Sequence, residues 1–238
     1  MKTKGIIFDK DGTLLDFDGF WTPVAEYAVE DILQKNQMEK SLKNQVLNAI
    51  GVKDGITDVD GVLCKGTYLQ ISQVIFGVLS KYKEELKLED VAEISLKAFH
   101  DNIEKGVMKG TCENIADVIS NLKEKGIKLA VVTADDTFTT KKCLTALGID
   151  DMFDVIYTDD GTHPNKPDPY CIEDFCVKFG LNKEQVVMVG DSLTDVNFAK
   201  NGGIKFVGVA KGPLNTAFLS AYAETVLPDV SHLSSVLE

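Results

Sequence analysis

The chain has 238 residues and a formal net charge of -12, with 44% hydrophobic and 26% charged residues. That length suits one large domain or a core carrying a smaller insert, and the acidic balance argues against a nucleic-acid backbone or an anionic membrane as a partner. Five scattered cysteines without a C-x-x-C pair predict reduced thiols and a cytoplasmic setting, not a disulfide framework or a zinc site.

The first predicted element is the strand GIIF, which ends at Asp9. The apolar run is too short for a signal peptide, and no later stretch approaches the ~20 apolar residues of a bilayer span. Residues two apart in a strand face the same side, so Asp9 and Asp11 would crowd one face if the strand continued. Like charges at that range persist where a cation or a proton sits between them. Asp, Gly and Thr are also ordinary loop residues, so the stretch DKDGT (Asp9 to Thr13) needs support from elsewhere in the chain.

From Thr22 to Lys105 the pattern is helical throughout: PVAEYAVEDILQKN, EKSLKNQVLNAIG, YLQISQVIFGVLSKYKEE and LEDVAEISLKAFHDNIEKG. A block of that length exceeds a single crossover helix and predicts a helical insert. We place this cap at residues 19–105 and the catalytic core at 1–18 and 106–238. Trp21 is expected to pack between cap and core. DVDGVL, starting at Asp58, nearly repeats the first acidic motif but follows no apolar strand, and is expected to be a turn between cap helices.

Beyond the insert, strands and helices alternate. The helix CENIADVISNLKEKG precedes the strand IKLAVV, which ends at Thr133; TTKKCLTALG precedes FDVIY, which ends at Thr158. The segment NKPDP carries Lys166 into the helix DPYCIEDFCVKFG. The strand QVVMVG then ends at Asp191, DVNFAKNGG forms a helix, and IKFVGV ends at Ala210. Three of the helices close on Gly126, Gly148 and Gly180, as helices often do. Near-continuous apolar strands between amphipathic helices indicate a parallel sheet covered on both faces. The predicted fold is α/β: a doubly wound, Rossmann-like core with an all-helical cap inserted after the first strand.

In such sheets ligands bind beyond the carboxyl ends of the strands. Asp9, Asp11, Thr13, Thr133, Lys166, Asp191 and Asp195 all converge there. Four acids, two hydroxyls and an amine suit metal-assisted phosphoryl transfer. Magnesium takes hard oxygen ligands, which Asp9 and Asp191 supply. Lys166 offsets the remaining negative charge, and Thr133 grips phosphate oxygens with nearby backbone N–H groups. Asp9 is the expected nucleophile, forming an aspartyl-phosphate. Asp11 is expected to protonate the leaving alcohol and later deprotonate the hydrolytic water.

These motifs, taken in order, resemble the haloacid dehalogenase superfamily: D-x-D-G-T, a Thr after the second strand, Lys before Pro, and G-D-x-x-x-D (Gly190 to Asp195). The match is closest to its phosphoglycolate-phosphatase branch with a first-type helical cap. The resemblance implies a Mg2+-dependent phosphatase acting on a small phosphorylated metabolite, such as a phosphoglycolate-like monoester. It also implies that Asp11 offers its backbone carbonyl to the metal, alongside Asp9 and Asp191, with Gly12, Thr13, Ala134 and Asp195 in supporting roles. A phosphomutase shares every core motif and stands as the alternative. A non-catalytic binding module on the same fold is a further one, from another class. Two departures stand out. Lys10 occupies a usually apolar position and is expected to point away from the metal. Asp135 and Asp136 replace a more usual Asn, and one of them is expected to face the substrate mouth.

Overall fold

All four residues of Gly5–Phe8 are buried, with parallel neighbours on both sides. This is β1, the centre of the sheet in a computed structural model that describes residues 2–58 and 61–237. From there the chain runs through α1 (Phe17–Lys35), α2 (Lys43–Ile50), β2 (Val52–Lys53), β3 (Ile56–Thr57), α3 (Val62–Lys65), α4 (Tyr68–Leu79) and α5 (Leu88–Asp101). It continues through α6 (Ile115–Glu124), β4 (Lys128–Val132), α7 (Thr137–Ala146), β5 (Val155–Tyr157), α8 (Tyr170–Phe179) and β6 (Val186–Gly190). The last elements are α9 (Leu193–Gly202), β7 (Lys205–Val209), α10 (Pro213–Leu219) and β8 (Val226–Leu227). Two units result, Met1–Asp16 with Lys109–Glu238, and Phe17–Met108.

The first unit is built on a six-stranded sheet in the order β5-β4-β1-β6-β7-β8, every pairing parallel. Period-two alternation sends side chains to opposite faces. Ile6 and Phe8 join Leu129, Val131, Val187 and Val189 under Ile115, Ile119 and Leu122 of α6. Ile7 joins Ala130, Val132 and Met188 on the other face, against Ile172 and Phe175 of α8 and Phe198 of α9. Helices thus cover both faces, and the strands read as near-continuous apolar runs for that reason. Strand order reverses direction at β1 and β6, the switch point where such sheets open a crevice.

The second unit packs α1 against α2 and α5, and α4 against α5. Along α1, Phe20, Trp21, Val24, Ala25, Ala28, Val29, Ile32 and Leu33 are buried, spaced by three and four as an inward helical stripe requires. Trp21 was expected between cap and core; it lies among Phe20, Tyr68 and Phe99 of its own unit, at ring separations of 4.9, 6.3 and 6.2 Å. The unit is not all-helical. β2 and β3 form an antiparallel hairpin through Asp54 (φ 52°) and Gly55 (φ 75°), the two positive φ angles of a type I′ turn. Asp58 follows that hairpin, its carbonyl accepting from the Gly61 N–H at 2.8 Å. Val59 and Asp60 of the near-repeat lie outside the described residues.

Candidate active site

Parallel neighbours end at the same edge, and β1 and β6 are in register, Phe8 opposite Val189. The residues just past their ends, Asp9 and Asp191, are therefore carried side by side. Asp195 enters from α9. Carboxylate oxygens of Asp9, Asp191 and Asp195 all lie within 4.8 Å of one another. Lys166 reaches into this group from the loop before α8, donating to Asp9 Oδ1 at 2.5 Å and to Asp195 Oδ1 at 2.7 Å. Two contacts hold that loop: Asn165 Nδ2 donates to Asp159 Oδ1 at 2.8 Å, and Asn201 Nδ2 donates to the Pro167 carbonyl at 2.9 Å.

Local sequence explains the placement. Ser192 caps α9, and its N–H and hydroxyl donate to Asp195 Oδ2 at 3.2 and 2.7 Å, while Asp195 N–H donates back to the Ser192 hydroxyl. This capping box fixes the Asp195 rotamer and leaves its other oxygen for Lys166. A Cβ on Gly190 would sit 2.5 Å from Asp195 Cγ, so no side chain fits there. Gly12 meets a similar limit. Its φ is +79°, and an added Cβ would lie 2.0 Å from Asp191 Oδ2. Thr13 is fully buried, its carbonyl accepting from the Thr111 hydroxyl at 2.6 Å.

Thr133 is buried at the end of β4, and its hydroxyl accepts from the Asp135 N–H at 3.2 Å. Ala134 follows, half-buried. Asp11 does not join the acid trio through its side chain. Both of its carboxylate oxygens lie 2.7 Å from Lys10 Nζ. Lys10 is completely buried and also pairs with Asp135 Oδ2 at 2.9 Å. Asp135 is thus turned to Lys10, and Asp136 caps α7 by accepting from the Thr139 N–H at 2.8 Å. Both side chains are committed to local partners.

Burial dominates the electrostatics. It pushes the Asp9 carboxyl up to about 7 although Lys166 pulls the other way, with Asp195 and Asp11 adding repulsion. Burial and then Asp9 hold Asp191 well above the usual carboxylate range. Burial disfavours the Lys166 ammonium, but Asp195 and Asp9 together outweigh it and keep it charged. Three clustered acids thus face one ammonium, a surplus of negative charge in a dry site. Oxygen-only donors with that surplus fit a hard divalent cation.

Two of the residues now in view were not singled out in the sequence as parts of the site. Ser192 was legible, because S-x-x-D ahead of a helix is a capping-box signature. Lys10 was visible only as an odd residue; nothing in the local pattern tells a buried lysine from an exposed one.

A parallel doubly wound sheet with an acid trio and a lysine at its switch point defines a hydrolase-type α/β site, and the family follows from sequence. A model of the haloacid dehalogenase-like hydrolases matches residues 3–203, and the chain belongs to that family. It is 26% identical over 202 residues to a pyrophosphatase PpaX of Bacillus cereus, covering 76% of this chain and 94% of that protein. It is 33% identical over 126 residues to a phosphoglycolate phosphatase of Pasteurella multocida, covering 52% and 56%. Among solved structures, a predicted phosphoglycolate phosphatase from Haemophilus somnus superposes with a TM-score of 0.73 at 24% identity, covering 100% and 99% of the two chains. That likeness is one of fold.

Proposed function

We propose that this hydrolase is a magnesium-dependent phosphatase of small phosphomonoesters, working through an aspartyl-phosphate on Asp9. The single observation that carries the proposal is the buried Asp9–Lys166–Asp195 chain beside Asp191. Magnesium, when bound, would be held by Asp9, Asp191 and the Asp11 carbonyl, and would neutralise charge on the phosphoryl group.

The protein's own residues supply the rest. Lys166 orients Asp9 with one oxygen engaged, leaving the other to attack phosphorus. The phosphorus–oxygen ester bond breaks as the Asp9–phosphorus bond forms, and Asp11 gives its proton to the departing alkoxide. Water then attacks the same phosphorus and passes its proton to Asp11. Inorganic phosphate leaves and Asp9 is regenerated. Thr133 and adjacent backbone N–H groups hold the phosphoryl oxygens throughout.

The relatives' names make phosphoglycolate and pyrophosphate the first substrates to try, next to an aryl phosphate. The test is rapid-quench labelling with a 32P-phosphoryl substrate. Acid-stable, hydroxylamine-sensitive label is expected on wild type and absent from Asp9→Asn. Turnover without such a label would overturn the covalent route.

A further inference from the structure

We propose that Lys10, with Asp135 as its second counter-ion, is a positioning residue for Asp11. It grips the carboxylate assigned to acid–base work and ties it to the loop that carries Thr133. This rests on the phosphatase reading above, and adds a residue pair to which that reading gives no role.

Lys10 is fully buried, and an isolated ammonium in such a place is strongly unfavourable. It is not isolated. Nζ lies 2.7 Å from each Asp11 oxygen and 2.9 Å from Asp135 Oδ2. The backbone fixes the lysine too, since the N–H groups of Leu14 and Leu15 both donate to the Lys10 carbonyl at 2.9 Å, and Gly12 N–H donates to the Leu15 carbonyl at 2.8 Å. Asp135 is held from the far side. Its N–H donates to the Thr133 hydroxyl, and its carbonyl accepts from Asp159 N–H at 2.8 Å. Lys10 therefore bridges the loop after β1 and the loop after β4, the two that carry the proposed acid–base and the phosphate grip.

Stability alone does not explain the arrangement. A buried ion pair is often no better than apolar residues of the same volume, and one carboxylate would suffice to neutralise one ammonium. Two carboxylates serve a different need. When one Asp11 oxygen is engaged with the leaving group or with water, Asp135 keeps Lys10 paired, so the lysine stays put and Asp11 returns to the same place. The thiol of Cys143 on α7 borders this cluster, and burial pushes it up to about 12, so it stays neutral and adds no competing charge.

The test uses Lys10→Met, which keeps stem length without charge, and Lys10→Met/Asp135→Asn, which also removes one of the two acids that would be left unpaired. The kinetic readout is leaving-group release in a single turnover, for an alkyl phosphate and for 4-nitrophenyl phosphate. Losing the grip on an acid catalyst should slow alkyl ester cleavage by roughly 10- to 100-fold, while the aryl ester, whose phenolate leaves unaided, changes by less than about threefold. The double variant should recover part of the thermal stability lost by the single one but not the alkyl rate. An unchanged alkyl-to-aryl ratio in the folded double variant would show that Lys10 is only structural. A crystal structure of the double variant decides the positioning without any turnover. Asp11 should leave its present rotamer, and an Asp11 that stays in place overturns the proposal. A wild-type protein silent on every ester would instead sink the phosphatase reading, and leave that crystal structure to decide the role of Lys10.

Discussion

Replacing Asp9 by Asn separates what the acid cluster costs the fold from what it does in catalysis. In the metal-free protein burial raises the Asp9 carboxyl from 3.8 to about 7. The unfolded chain ionises this group near 3.8, so below that value both states hold the proton and the group contributes nothing. Between about pH 4 and 7 the folded state binds more protons than the unfolded one, and stability falls as pH rises. Above about 7 both states are ionised and the penalty is complete. The distance from 3.8 to about 7 corresponds to about 4 kcal/mol. Asparagine mimics the neutral acid in shape and carries no such penalty. Asp9→Asn should therefore stabilise the metal-free protein by a few kcal/mol at pH 8, by less at pH 5, and by almost nothing at pH 4. The assay is urea unfolding in EDTA across that range, with turnover of the same variant measured in magnesium. A variant no more stable than wild type at pH 8 would refute the view that burial penalises the ionised Asp9 carboxyl.

The other expectations follow from the same geometry. Gly12→Ala should drive Asp191 out of place, since its Cβ would fall 2.0 Å from Oδ2 at a φ of +79°; a loss of roughly 100-fold in activity with an intact fold is expected, checked by kinetics and circular dichroism. Magnesium affinity should fall, approaching about tenfold per pH unit well below 7, because the Asp9 carboxyl, pushed up to about 7, must lose its proton to bind the ion; calorimetric titration at pH 6, 7 and 8 measures the slope. Trp21→Ala should destabilise the helical unit by about 3–5 kcal/mol, because the indole is 3% exposed among Phe20, Tyr68 and Phe99; denaturant unfolding gives the value.

Legibility in the sequence tracked the range of the interaction that fixes each feature. The β1, β4, β6 and β7 strands were readable because burial on both faces leaves them almost wholly apolar, with only Lys128 and Lys205 at the outer ends of β4 and β7. The residues after their ends were readable because parallel strands stop at one edge. β8 was not, since Val226–Leu227 is two residues long and gives no period to count. The β2–β3 hairpin did carry a signal, Asp54-Gly55, the dipeptide a type I′ turn favours, which the surrounding helical pattern hid.

Side-chain direction was the hardest part, and Lys10 shows why. Its neighbours in sequence, Asp9 and Asp11, predict opposite things for it: one belongs to a metal site that repels an ammonium, the other is an anion that attracts one. What decides between them is Asp135, 125 positions away in the chain. Only the pairing of β1 with β4 brings it alongside. Asp135 taken alone looks like an acid free to face a substrate, and Lys10 alone only like a departure whose side chain points away from the metal. The structure makes each residue the other's partner across two loops. A departure from family pattern at one position is thus best read with the departures at every position the sheet order places beside it. Here the two odd residues cancel in charge, and Lys10 lies between Asp135 and Asp11.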